Sequence, residues 1–111
     1  MTEVITDKKE IEIIINEKIK GKRIVYSKYY LIRLIQRGMD ENKVKEIFPQ
    51  FNKVFAIEKE KLKFGDLGYE LFYKISDNVT FSIATVPKKD IVEIIHAIEY
   101  RRNLGERLNK K

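Results

Sequence analysis

Apolar positions recur at helical spacing before Pro49 and alternate after it. Asp7 followed by Glu10 has the form of a capping box, in which the first carboxylate takes a free N–H of the opening turn. Ile11, Ile14, Ile15 and Ile19 then share one helical face, and Gly21 supplies the stop. Ile11, Ile13 and Ile15 also alternate with Glu10 and Glu12 as a strand would, and the helix is the expectation adopted. Ile24-Val25-Tyr26 is a short extended lead into Ser27, a good N-cap. From Lys28 to Arg37 the apolar set Tyr30, Leu31, Leu34 and Ile35 occupies one face, and Gly38 ends this second helix. Asp40 caps a third, where Met39 can staple onto Val44. Its inner face is Val44, Ile47 and Phe48, and Pro49 closes it.

Beyond Pro49, Phe51, Phe55 and Ile57 sit two or four apart. Gly65-Asp66-Leu67-Gly68 is turn material. Tyr69, Leu71, Tyr73 and Ile75 alternate with polar neighbours and Phe72, Ser76-Asp77-Asn78 turns the chain, and Val79, Phe81 and Ile83 alternate again. The last segment is ambiguous, since Ile91, Ile94, Ile95 and Ile98 fit a helix while Val92, Ile94, His96 and Ile98 fit a strand. A strand through Ile98 is adopted, because the hairpins before it need a fourth partner. A short charged helix from about Arg101 to Leu108 follows, and 109–111 fray. The expectation is therefore one α+β domain over 1–111, with three N-terminal helices (7–48) packed on a four-stranded antiparallel sheet (51–98) and a basic tail (99–111).

Length and composition narrow the class. The chain has 111 residues, 43% hydrophobic and 36% charged, enough for one core under a charged surface and too apolar for disorder. No apolar run approaches a membrane span, and Met1 to Thr6 lacks the basic start of a signal peptide. Cysteine is absent, which suits a reducing cytoplasm and excludes thiolate chemistry. The weight of Lys, Glu and Ile resembles that of proteins from heat-loving organisms. Net charge is +6, and it is uneven. In residues 21–40, Lys22, Arg23, Lys28, Arg33 and Arg37 face only Asp40, the kind of clustering that a polyanion footprint needs.

Few residues carry chemistry. Tyr29, Arg33 and Arg37 are spaced four apart with Gln36 beside them. An aromatic ring, two guanidinium groups and an amide on one strip suit phosphate contact with base stacking, although surface arginines often only pair with acids. His96 is the sole histidine. On a strand it shares a face with Val92, Ile94 and Ile98. It is then a hydrogen-bonded structural residue if that face is the core, or an acid–base group if it lies at an open edge near Arg33. The acids are too scattered for a metal site, so no cofactor is expected. Gly65-x-x-Gly68 is too short for a phosphate loop.

Tyr26-Ser27-Lys28-Tyr29-Tyr30, then Arg33, then Arg37-Gly38-Met39 and Val44, resembles the signature of a family of small prokaryotic domains grouped with RelE-like and BrnT-like toxins. That signature reads aromatic-S-x-H-A, an arginine, R-G-[IM], a helix and a four-stranded sheet. Ile94-Ile95-His96-Ala97 leading to Arg101 and Arg102 is similar to the BrnT-like ending. The resemblance implies a RelE-like fold, metal-free RNA cleavage, and neutralisation by a separate antitoxin protein. It departs at one place, where Tyr29 stands for the family's histidine and Tyr30 for its alanine. Metal-free cleavage needs a base for the 2′-hydroxyl, an acid for the leaving oxygen and cations on the phosphorane. The expected catalytic set is Tyr29, Arg33, Arg37 and His96, with Lys28 and Glu99 as further proton-transfer candidates. Lys22, Arg23, Lys28, Gln36, Arg101 and Arg102 would bind nucleic acid. The alternatives are a non-catalytic nucleic-acid-binding or regulatory domain, or a protein–protein adaptor.

Overall fold

The computed structural model describes residues 2–28, 30, 32, 41–62 and 65–101. The chain opens on a strand, β1 (Thr2–Ile5), and then forms α1 (Lys8–Ile14). Asp7 caps α1 as its spacing requires, its Oδ2 accepting from the Glu10 backbone N–H at 3.0 Å. The helix loosens into a π-turn at Ile15–Ile19, and Ile11, Ile15 and Ile19 are buried along it. Gly21 takes φ +85°, a conformation that costs a residue with a Cβ, and the chain re-enters the sheet as β2 (Arg23–Tyr26). Ser27 accepts from the Tyr30 N–H at 3.1 Å, and Lys28, Tyr30 and Ile32 have helical backbone. The helix α2 (Glu41–Ile47) and a 3-10 turn (Phe51–Lys53) lead into β3 (Val54–Lys61), β4 (Leu67–Ser76), β5 (Val79–Pro87) and β6 (Ile91–Tyr100).

These strands make one sheet in the order β1-β3-β4-β5-β6-β2. It is mixed, because β1 runs antiparallel to β3 while β2 runs parallel to β6. The expectation of three helices on a four-stranded antiparallel sheet is overturned. Six strands carry most of the described structure, and α1 with its π-turn and α2 are the two helices whose bounds fall among the described residues. The alternating strands after Pro49 form the meander β3 to β6. Both outer strands, however, come from the segment before the first helix and from the Ile24-Val25-Tyr26 lead. Four residues are too few for a period, so only pairing reveals them. Ile5 packs into the core through β1, and Ile24 and Tyr26 pack against it through β2. The expected Lys28–Arg37 helix, the Asp40 cap and Met39 staple, and the helix from Arg101 to Leu108 lie largely or wholly outside the described residues.

The helices cover one sheet face. Ile11, Ile15, Ile19, Tyr30, Val44, Ile47 and Phe48 meet Ile57, Leu71, Tyr73, Phe81, Ile83, Val92, Ile94 and Ala97 in one core. Tyr73 is wholly buried, and its hydroxyl donates to the Phe48 carbonyl at 2.7 Å. That carbonyl lies just past the end of α2, where the helix supplies no donor. Burial pushes the Tyr73 phenol well above the usual tyrosine range, so it serves as a neutral donor. On the opposite face Ala56 and Phe72 are buried among Val4, Phe55 and Tyr100. Among the described residues no helix is long and apolar enough to cross a membrane.

Candidate functional site

The face opposite the helices is organised by register. Glu58 pairs with Glu70, Glu70 with Ala84 and Ala84 with His96, which makes one row across β3, β4, β5 and β6. Val4 of β1 extends the row beyond Glu58. Glu58 and Glu70 thus stand directly opposite one another on the outer face.

A β-bulge places His96 in that row. Ala84 pairs with His96 but Thr85 pairs with Ile94, so β6 carries one residue more than β5 at Ile95. Ile94 and Thr85 face the core, and the Thr85 hydroxyl is satisfied by the Tyr69 carbonyl at 2.7 Å. The extra residue re-aims the strand, and Ile95 and His96 both turn to the outer face. The expectation that His96 shares a face with Val92 and Ile94 is therefore corrected, because the alternation breaks at the bulge.

His96 lines a recess of about 60 Å³ with Glu58, Glu60, Glu70, Gly68 and Ala84. That is room for a few waters and not for a nucleobase, so any larger ligand lies over its mouth. The His96 Nδ1 is buried and has no hydrogen-bond partner among the described residues. No group of three or more His, Cys, Asp or Glu side chains among the described residues is placed to hold a metal ion.

Other sequence-derived candidates fall elsewhere. Lys22 reaches across to donate from Nζ to the Lys88 carbonyl. Arg23 opens β2 and pairs with Ile91, five residues along β6 from His96. Lys28 is exposed at the start of the helical backbone. Arg101 binds the Glu99 carboxylate at 3.0 Å, and Lys43 of α2 binds the same group. Tyr29, Arg33, Gln36, Arg37 and Arg102 lie outside the described residues. Glu58, Glu60 and Glu70 were not singled out by the sequence, since only the strand register sets them beside the histidine.

Glu99, a further proton-transfer candidate, is held by two cations. The hydrogen bond from Lys43, aided by the charges of Lys43 and Arg101, holds its carboxyl below the ordinary glutamate value of 4.5 against a smaller opposing effect of burial. A folded-state value lowered in this way stabilises the fold above the unfolded value, and the contribution vanishes as pH falls through the folded one. Glu99→Gln should therefore weaken the fold modestly at neutral pH and progressively less below about pH 4.5. Denaturation midpoints of both proteins across that range check this, and a constant gap between them would count against the ion pair. Comparisons with protein-family models, curated proteins and solved structures find no match to this chain.

Proposed function

We propose that this chain acts on RNA in the cytoplasm as a metal-free ribonuclease of the toxin kind, with its chemistry on the outer sheet face at His96. The observation that carries the reading is the bulge at Ile95, which turns the chain's one histidine out of the core into a recess shared with Glu70 and Glu58. Across the small side chain of Ala84, His96 and Glu70 stand two inter-strand spacings apart, roughly 10 Å between Cα atoms. Two side chains at that separation can bracket a phosphodiester lying over the recess. The Glu70 carboxylate takes the proton of the 2′-hydroxyl as O2′ attacks phosphorus. The His96 imidazolium gives its proton to the departing 5′-oxygen, leaving a 2′,3′-cyclic phosphate and a new 5′-hydroxyl. Arg33 and Arg37 are the cations that the RelE-like and BrnT-like resemblance assigns to the phosphorane, and a separate antitoxin protein is the partner it implies.

A second reading has its own support. The recess presents three carboxylates, which repel phosphate, and Tyr29 replaces the histidine of the resembled signature. On that reading the chain binds nucleic acid without cutting it. Single-stranded RNA incubated with excess protein in the presence of a chelator separates the two. Fragments ending in cyclic phosphate, lost in the His96→Ala protein, support the ribonuclease. Intact RNA that remains bound supports the binding domain.

A further inference from the structure

The turn before β2 and the loop between β5 and β6 meet at one corner of the sheet. Lys22 and Arg23 come from the first and Lys88 and Lys89 from the second, and their touching is not evident in a sequence that separates them by more than sixty residues. Three contacts fix the meeting. Lys22 donates from Nζ to the Lys88 carbonyl, the Arg23 N–H bonds the Asp90 carbonyl at 3.4 Å, and Arg23 pairs in register with Ile91. Arg23, Lys88 and Lys89 are exposed, and none of the four cations makes an ion pair among the described residues. Asp90 is the one acid in the two turns, and Glu93, opposite Val25, is the next along β6. Four cations against the single carboxylate of Asp90 leave an excess of positive charge at the corner, and an anion bound there relieves their repulsion.

We infer that this corner is a docking surface for the phosphate backbone of single-stranded RNA, with Arg23, Lys88 and Lys89 as the contacting groups. Lys22 is a positioning residue, because its ammonium is already engaged in joining the two turns. RNA is favoured over other polyanions by continuity of the surface. Arg23 and Ile91 share the outer face with His96, and the five residues from Ile91 to His96 span about 16 Å. A strand held at the corner can thus run along β6 to the recess in about five stacked nucleotides. The choice of RNA and its placement relative to His96 rest on the proposed ribonuclease reading, whereas binding of a polyanion at the corner does not.

The test uses a short single-stranded RNA with 2′-O-methyl sugars, which lacks the attacking hydroxyl and so reports binding whether or not the chain cuts. Fluorescence anisotropy is followed over a salt series for the full chain, for Arg23→Gln/Lys88→Gln/Lys89→Gln, and for Lys8→Gln/Lys9→Gln/Lys61→Gln. The second triple has the same charge change at exposed sites away from the corner. Loss of three phosphate contacts should lower the slope of log affinity against log salt by about 2, while the control triple leaves it nearly unchanged. Equal changes in both triples, no change in either, or no RNA binding by the full chain at low salt would overturn the proposal. So would binding of anionic vesicles or an acidic peptide that the corner triple weakens while RNA binding persists. A full chain that binds the methylated strand but never cuts ordinary RNA leaves this surface standing and removes only the catalytic reading.

Discussion

His96→Ala should reduce RNA cleavage by at least about 100-fold, the lower end of what a positioned proton donor contributes. The fold should be left nearly intact. His96 lines a recess on the outer face, its Nδ1 has no hydrogen-bond partner among the described residues, and Ala84 opposite it is small. Removing the imidazole therefore breaks no hydrogen bond of Nδ1 among the described residues and leaves the core on the other sheet face in place. Glu70→Gln keeps the shape of the opposite side chain and removes its ability to take a proton, so a comparable loss is expected. The double variant should be little worse than either single, because residues that act as one unit are not additive. Initial cleavage rates on one RNA, with circular dichroism of each protein, decide the matter. Full activity in His96→Ala would sink the catalytic assignment, and full activity in Glu70→Gln would remove Glu70 from the pair.

The largest effect on stability belongs to Tyr73. Truncation to alanine deletes a wholly buried ring and leaves a cavity between β4 and α2, a change worth about 3 to 5 kcal/mol. Tyr73→Phe keeps the ring and strips the Phe48 carbonyl of its donor, which costs about 1 to 3 kcal/mol. A small domain is stable by only about 5 to 15 kcal/mol, so the alanine protein should unfold at markedly lower denaturant while the phenylalanine protein falls between. If the two variants unfold together, the hydroxyl matters and the ring does not, which would contradict the packing described for this core. The pair also separates a sheet-to-helix tether from simple volume, since only the hydroxyl reaches the end of α2.

Local chemistry was legible where one short segment satisfies itself. Asp7 caps α1 and Ser27 caps the helical backbone after it because the partner N–H lies three residues away in both cases. The strands β4 and β5 were legible from apolar residues that alternate in sequence between turn residues, and β6 was adopted as a strand because the hairpins before it need a partner. The outer strands were not. β1 and β2 each have four residues, and what makes them strands is hydrogen bonding to β3 and β6, one antiparallel and one parallel. No propensity in Thr2–Ile5 anticipates a partner more than fifty residues away.

The candidate site divides in the same way. The amino-acid sequence by itself determined that there is one histidine, no cysteine, an excess of six positive charges and a basic stretch at 21–40. Those facts limit the available proton-transfer groups and favour a polyanion. Only the tertiary structure decided which face His96 takes, because a single extra residue at Ile95 reverses the direction of every side chain after it, and that residue is recognisable as extra only against Ala84 and Thr85 of β5. It likewise decided that Glu58 and Glu70 stand in the histidine's row and that Lys88 and Lys89 join Lys22 and Arg23. The physical reason is one of range. Capping and periodicity act over a few residues, whereas strand pairing joins positions that have no covalent or periodic relation, and both the recess and the basic corner are made of such pairs.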